Sequence, residues 1–308
     1  RPLLFELVFL GTSASAPSIH RGLPAQVVKH NQYRFLVDCG EGTQRQILKS
    51  GLGFKKLNRI LITHSHLDHI LGIGGLVSTY LRWEAIDKLE IYGGASALER
   101  IADLLFKVVI RGIYPPFPID LKVIQKGVFI EENDFSISAF PVSHRGPDCY
   151  GFSFEEKGRR PFLEENAKKL QIPSGPWRRD LVAGKKTELP DGRIIEPNQV
   201  LGEFQPGAKL VIVGDTGKTN NLVKVCKDAD ALVIEGTYLQ TESDMAHQYA
   251  HLTAHMAAEL AARANVKKLF ITHISRRYND KDVEKEAREI FPDTTIVQDF
   301  DIFQIKRT

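Results

Sequence analysis

Leu36-Val37-Asp38-Cys39-Gly40-Glu41-Gly42-Thr43 is an apolar run that stops at an Asp, turns on glycine and enters a polar segment. Val211-Ile212-Val213-Gly214-Asp215-Thr216-Gly217 repeats the arrangement in the second half of the chain. A β-branched apolar run with such an ending reads as a buried strand leading into a helix. Two copies imply two similar halves, each a sheet with helices outside it. Two such sheets, face to face, bury one core, and each still needs helices on its outer face. The predicted fold class is therefore α/β, a four-layer αββα sandwich.

Outward from these two stretches the pattern continues. Leu4–Leu10 reads as a strand ending at Gly11, and Arg34–Val37 as the strand before Asp38. Thr43–Ser50 reads as a helix, Arg59–Thr63 as a short strand and Ile70–Trp83 as a buried helix or loop-helix. Ile130–Val142 alternates in places, as meandering strands do. In the second half Lys209–Val213, Ala231–Ile234 and Lys268–Thr272 read as strands. Thr253 is a plausible N-cap for the Ala-rich helix Thr253–Ala264.

Strand patterning stops between residues 155 and 203. Pro161, Pro173, Pro176, Pro190 and Pro197 appear there with Gly175, Gly184 and Gly192, and basic residues come in pairs, such as Arg178-Arg179 and Lys185-Lys186. The stretch is too long for a plain connection, so a functional excursion or a disordered insert is expected. Its acidic residues nearly balance the basic ones, which leaves a solvated surface arm as the plain alternative. The predicted organisation is a single domain over residues 1–308 with a flexible arm inserted at 155–203.

Composition bounds the rest. With 43% hydrophobic and 26% charged residues in 308, the chain is neither disordered nor collagen-like. A membrane span needs about 20 apolar residues, and the stretch Ile70–Leu81 is shorter and broken by Gly, Ser and Thr. The opening Arg1-Pro2-Leu3-Leu4-Phe5 shows no small-residue cleavage site, so a cytoplasmic protein is expected. Cys39, Cys149 and Cys226 are odd in number and lack CxxC spacing, so they read as buried thiols. A net charge of +3 is compatible with a nucleic-acid partner but too small to argue for one.

The strongest chemical signal is Thr63-His64-Ser65-His66-Leu67-Asp68-His69, directly after a strand. Alternate His residues on an extended turn can converge on one metal, with Asp68 and His69 directed to a second position. Imidazole and carboxylate donors suit Zn²⁺, with Mn²⁺ or Fe as alternatives. Three strand ends offer the remaining ligands: His144 after Val142, Asp215 after Val213 and His273 after Thr272. One site would comprise His64, His66, His144 and Asp215. The other would comprise Asp68, His69, Asp215 and His273, with Asp215 bridging two ions. A competing site is His247, His251 and His255, which would share one face of a continuous helix; a cap at Thr253 would break that stripe.

These residues resemble the metallo-β-lactamase superfamily and, within it, the ribonuclease Z family of tRNA 3′-processing endonucleases. Besides the metal set, Asp38–Gln44 is similar to the family's first motif. Ile172-Pro173-Ser174-Gly175-Pro176-Trp177 and Leu189–Ile195 resemble its Gly/Pro-rich substrate arm. Thr272–Tyr278 resembles the segment around its last ligand. The resemblance implies a metal-dependent endoribonuclease with two Zn²⁺ per chain that removes the 3′ trailer of precursor tRNA. Asp68 would hold the attacking water as general base. His251, oriented by Glu235, would protonate the leaving 3′-oxygen. Arg21, Gly175, Pro176, Arg178 and Arg179 would contact the substrate. The family also implies a homodimer in which one subunit's arm serves the other's site, with RNA rather than DNA as partner. The chain departs from the family pattern at Ile19 and Gly22, where a basic residue and Asn are usual, at Ile234 (usually His) and at Leu252 (usually Ser).

Rival readings are another hydrolase on the same fold (a small-molecule phosphodiesterase, sulfatase or thioesterase), an oxygen-reducing di-iron protein and a metal-stabilised RNA-binding protein without turnover. Asp215, where lactam chemistry would favour Cys, argues against a lactam hydrolase on this fold; His66, where the di-iron branch usually has Glu, argues against the di-iron protein; and the complete ligand set with Glu235 and His251 argues against a binder without turnover.

Overall fold

Strand β1 (Leu4–Gly11) alternates, with Phe5, Leu7 and Phe9 on one side and Val8 and Leu10 on the other, and all five are buried. A strand apolar on both faces must lie between two other layers. The computed structural model, which describes residues 4–83 and 85–307, supplies both layers. Arg1-Pro2-Leu3, with which the chain opens, lie outside the described residues.

The chain divides into two compact units, one running to Glu155 and resuming at Ala208, the other comprising Glu156–Gly207. The larger unit holds two seven-stranded sheets. The first adds β2 (Ala25–His30), β3 (Tyr33–Val37), β4 (Arg59–Leu61), β5 (Leu89–Gly93), β6 (Ile119–Val123) and β16 (Ile302–Lys306), in the order β16-β1-β2-β3-β4-β5-β6. The second contains β7 (Gly127–Glu131), β8 (Phe135–Pro141), β9 (Tyr150–Glu156), β12 (Lys209–Ile212), β13 (Ala231–Glu235), β14 (Leu269–Thr272) and β15 (Thr294–Ile296), in the order β15-β14-β13-β12-β9-β8-β7.

Each sheet changes from antiparallel to parallel pairing at one strand. In the first that strand is β3, antiparallel to β2 and parallel to β4. In the second it is β12, antiparallel to β9 and parallel to β13. Asp38 directly follows the first of these strands, and Asp215 lies three residues beyond the end of the second. Carboxyl ends of parallel strands at such a switch point form the crevice where α/β sheets place ligands.

Three apolar layers fill the sandwich. Phe5, Leu7, Phe9, Phe35, Phe152, Phe154, Leu210, Val233 and Phe270 lie in the inter-sheet core. Each fully buried side chain of this kind contributes about 1.5–3 kcal/mol. On one outer face, α1 (Thr43–Ser50), α3 (Gly72–Trp83) and α4 (Ala95–Ala102) place Ile47, Leu76, Tyr80 and Leu98 against Leu10, Leu36 and Ile60. On the other, α7 (Val223–Cys226), α9 (Ala254–Arg263) and α10 (Asp280–Arg288) place Cys226, Ala258, Leu260 and Val283 against Val211, Leu232 and Ile271. The four-layer αββα expectation is met, and Cys39, Cys149 and Cys226 are buried free thiols.

The differences in detail have local causes. The predicted strand Arg59–Thr63 ends at Leu61 because the Thr63 N–H donates to Asp38 Oδ1, leaving the ladder. The stretch Ile70–Trp83 breaks at Leu71, where the single turn α2 (Leu67–Ile70) ends and α3 begins. Thr253 does cap α9, accepting from Met256 N at 3.1 Å.

The unit Glu156–Gly207 has its own organisation. It contains α5 (Glu164–Lys169), α6 (Pro176–Val182) and a hairpin of β10 (Thr187–Glu188) with β11 (Ile194–Ile195). Ala167, Ile172, Leu181, Leu189, Ile195, Val200 and Leu201 form a small core. Trp177 packs on its own loop and donates to Pro173 O at 2.7 Å. A Cβ on Gly175 would collide with the Trp177 ring, which accounts for glycine there. Two bridges, Arg159–Gln205 and Phe162–Leu201, close the neck of the unit. The stretch expected as an arm thus carries secondary structure and a small apolar core of its own. No helix among the described residues is long and apolar enough to cross a membrane.

Candidate metal centre

The ends of β3, β4, β12, β13 and β14 deliver the polar side chains. His64 and His66 lie on the extended segment after β4, Asp68 and His69 on α2. His144 follows β8, Asp215 follows β12 and His273 follows β14. The structure brings all seven together. His64, His66, His144 and Asp215 form one cluster, and Asp68, His69, Asp215 and His273 another, with the donor atoms in each within 4.8 Å of one another. Asp215 lies between the two. Its Oδ2 is 3.5 Å from His64 Nε2 and 3.3 Å from His69 Nε2, and its Oδ1 is 3.3 Å from His273 Nε2. His144 Nε2 is 3.3 Å from His66 Nδ1, and His69 Nε2 is 3.4 Å from Asp68 Oδ2.

These residues fit divalent ions. Four ligands at 2.0–2.1 Å around a tetrahedral ion sit about 3.3 Å apart, close to the separations found. His64 Nε2, His69 Nε2 and His273 Nε2 are buried and have no hydrogen-bond partner. An orphaned buried nitrogen is costly unless something binds it. The opposite ring nitrogen of His69 is engaged, Nδ1 donating to Asp38 Oδ2 at 2.7 Å, and His144 Nδ1 likewise donates to Ala250 O at 2.7 Å. Burial, reinforced by His64, holds His66 down to about 4. His144 is also held down to about 4, chiefly by burial. Both are neutral at physiological pH, the form that ligates metal. Burial pushes the Asp215 carboxyl up, but the imidazoles of His273 and His69 outweigh it and keep it well below the usual range. Burial of Asp68 is outweighed in the same way by the neighbouring His273 and His69 imidazoles, which keep its carboxyl well below the usual range.

Beside the clusters, His251 Nδ1 donates to Glu235 Oε1 at 2.9 Å. Glu235 is 1% exposed and also accepts from Thr216 N, Leu252 N and Thr237 Oγ1. Burial pulls the His251 imidazole down, but the charge and hydrogen bond of Glu235 prevail and push it up to about 9. A cavity of about 290 Å³ is lined by His66, Asp68, Asp215, His251, Arg100 and Arg145. It therefore joins candidate ligands, the His251 imidazole and two exposed cations at one opening, a setting for an anionic substrate.

The chain is 45% identical to the ribonuclease Z of Bradyrhizobium diazoefficiens over 298 residues, covering 97% of this chain and 99% of that protein. It is 46% identical to the ribonuclease Z of a second Bradyrhizobium strain, with the same coverage of 97% and 99%. The chain belongs to the ribonuclease Z family. Among solved structures, the short form of human tRNase Z superposes with a TM-score of 0.70 at 26% identity, covering 97% of this chain and 99% of that one. Residues 5–158 also match the family model described as Anti-Pycsar protein Apyc1. That match includes the His run and His144 and stops before Asp215, Glu235, His251 and His273.

Several residues of this ribonuclease Z family member lie elsewhere than the sequence suggested. The helical alternative is absent, because His247 is exposed on α8 (Ser243–Tyr249), His255 is on α9 and His251 is in the loop between them. Arg21 lines a cavity of about 510 Å³ together with Arg276, but its own guanidinium is engaged. It donates to Thr12 Oγ1 at 2.7 Å, Val297 O at 2.6 Å and Asp280 Oδ2 at 2.6 Å. Arg178 is likewise taken up inside its unit, by Glu164 at 3.0 Å and Ile172 O at 2.9 Å, over the Phe162 ring. Arg179, Gly175 and Pro176 are exposed. Sequence reasoning missed Asp38 as a partner of His69, although its strand-end position matches that of Asp215. Asp38 (φ 59°) and His273 (φ 58°) both adopt left-handed backbone.

Proposed function

We propose that the chain is an endoribonuclease that hydrolyses a phosphodiester at the 3′ end of precursor tRNA, removing the trailer and leaving a 3′-hydroxyl. The observation that carries the chemistry is the shared opening, where two ligand clusters with orphaned Nε2 atoms and the Glu235–His251 pair meet one cavity. Full-length kinship with ribonuclease Z proteins supports RNA as the substrate.

The ligands would be His64, His66, His144 and Asp215 for one ion and Asp68, His69, Asp215 and His273 for the other, with zinc as the metal that suits these donors. Ions bound there would supply Lewis acidity, lowering the pKa of water towards 7 and neutralising phosphoryl charge. Asp68, held ionised, accepts a proton or hydrogen bond from the attacking water. His251 is protonated below about pH 9 and donates through Nε2 to the departing 3′-oxygen, while Glu235 holds Nδ1. Such an acid typically contributes on the order of 10²–10⁴ in rate. Arg100 and Arg145 attract the phosphodiester to the opening. The exposed basic residues of the Glu156–Gly207 unit, Arg179 among them, are proposed to grip the tRNA body. A homodimer and a cytoplasmic location complete the reading; sedimentation of the purified chain and fractionation of cells test them.

The deciding experiment is incubation with a precursor tRNA carrying a 3′ trailer, with both product ends mapped. A single cut leaving a tRNA 3′-hydroxyl is expected. Hydrolysis of a nitrophenyl phosphodiester without any cut in the precursor would overturn the RNA reading.

A further inference from the structure

Around the centre the two halves of the chain are wired alike. In the first, Asp38 Oδ2 accepts from His69 Nδ1 at 2.7 Å and from Thr63 Oγ1 at 2.8 Å. Thr63 Oγ1 in turn lies 2.9 Å from His64 Nδ1. In the second, Glu235 accepts from His251 Nδ1 at 2.9 Å and from Thr237 Oγ1 at 2.7 Å. Thr237 Oγ1 lies 2.9 Å from His273 Nδ1. Each relay is a buried carboxylate that holds one His directly and a second through a Thr hydroxyl. Thr63 and Thr237 are themselves buried, at 1% and 4% exposure, so water does not substitute for either contact.

Proton accounting assigns the direction of these bonds. A carboxylate only accepts, and a hydroxyl has one proton. Thr63 gives that proton to Asp38, so it must accept from His64 Nδ1. Thr237 has a second acceptor, His273 O at 3.1 Å, but the charged oxygen at 2.7 Å is nearer and stronger. It too must therefore accept from its His. In both cases Nδ1 carries the hydrogen and Nε2 presents a lone pair, and the Nε2 atoms of His64 and His273 are two of the orphaned nitrogens.

We propose that Thr63 and Thr237 are a matched pair of positioning residues, each locking a metal-binding His in the Nδ1–H tautomer with Nε2 facing the metal. The proposal rests on the reading of His64 and His273 as ligands. The two relays differ in what they connect. Thr63 joins two ligands, His64 and His69. Thr237 joins the ligand His273 to the acid pair, so it couples metal retention to leaving-group protonation. Gly214 preserves the first relay, since a Cβ there would lie 2.9 Å from Thr63 Oγ1.

The test compares Thr63→Val and Thr237→Val, which keep the shape and remove the hydroxyl, with Thr63→Ser and Thr237→Ser, which keep it. Zinc affinity is measured by chelator competition, without substrate. Loss of an outer-shell partner typically weakens metal binding roughly 10–100-fold. Both Val variants should show that loss, and both Ser variants should approach the parent. On substrates, Thr237→Val should lose more activity on RNA than on a nitrophenyl diester, whereas Thr63→Val should lose equally on both. Folded Val variants that bind zinc as tightly as the parent would overturn the proposal. If the Val variants do not fold, imidazole ¹⁵N spectra of the zinc-loaded parent decide. A proton on Nδ1 of both His64 and His273 supports the assignment, and a proton on Nε2 of either overturns it. Neither zinc affinity nor the spectra depend on which phosphodiester is the substrate, so a failed tRNA assay leaves this test intact.

Discussion

His251 Nδ1 lies 2.9 Å from Glu235 Oε1, and the pair is almost wholly withdrawn from solvent. A carboxylate in that position stabilises the imidazolium, so the proton is held to about pH 9 instead of the ordinary 6.5. The acid form is present below pH 9, and activity should fall as the pH rises through it. Glu235→Gln removes the negative charge, so the alkaline limb of kcat should move down by about 1–3 pH units. The pair's contribution to stability has the same sign, complete below pH 6.5 and lost through 9. An unmoved limb would take Glu235 out of this role.

His251→Ala should retain its metal and lose about 10²–10⁴ in kcat on precursor tRNA. The loss should be smaller on a nitrophenyl phosphodiester, whose leaving group needs no proton. Equal losses on the two substrates would remove His251 from the acid step.

Because Asp215 faces both clusters, Asp215→Asn should deplete both ions, and His144→Ala mainly the one at His64 and His66. Elemental analysis reads this directly, and two divalent ions per parent chain are expected. His247→Ala should leave the content unchanged, since that residue is exposed on α8. Full occupancy in Asp215→Asn would contradict the bridging assignment.

The two adjacent arginines of the insert should behave differently. Arg178 is tied to Glu164 and Ile172 O, so Arg178→Ala should loosen its unit by about 1–2 kcal/mol, visible as faster hydrogen exchange in residues 164–201. Arg179→Ala should leave exchange unchanged, weaken tRNA binding and reduce the salt slope by about 0.7–0.9. A salt slope unaffected by Arg179→Ala would exclude a phosphate contact there.

Replacing residues 160–204 with a short glycine linker uses the neck closed by Arg159 and Gln205. The larger unit should still fold, because Glu155 and Lys209 are already paired neighbours in β9 and β12. Hydrolysis of a nitrophenyl phosphodiester should persist, and precursor tRNA cleavage should collapse, mainly through KM. Undiminished tRNA processing would show that the insert does not bind substrate.

The sandwich and the ligand clusters were legible because both are written in strand ends. An apolar run that stops at Asp or His marks the end of a core strand, and chain geometry gathers such ends at one edge. Arg21 and Arg178 show what was not legible. A positive charge in the sequence does not reveal whether its donors are consumed, and in both residues they are. The insert's core was hidden for a related reason: Ala167, Leu181 and Val200 are too widely spaced to show a period. Thr63 and Thr237 lie within two residues of the motifs already singled out, but a hydroxyl's role depends on which neighbours face it.

Asp38 and His273 directly follow strands in opposite sheets, and both hold a left-handed backbone that costs most residues with a Cβ about 1–2 kcal/mol, and Asp or His somewhat less. Left to local preference, Gly or Asn would occupy both positions. Asp and His tolerate this backbone better than most side chains, but Gly and Asn adopt it more readily, so at both points chemistry outweighs conformational ease. In a lineage released from selection for activity, these are the positions where decay should begin, because drift towards Gly or Asn would relax the chain while erasing the centre.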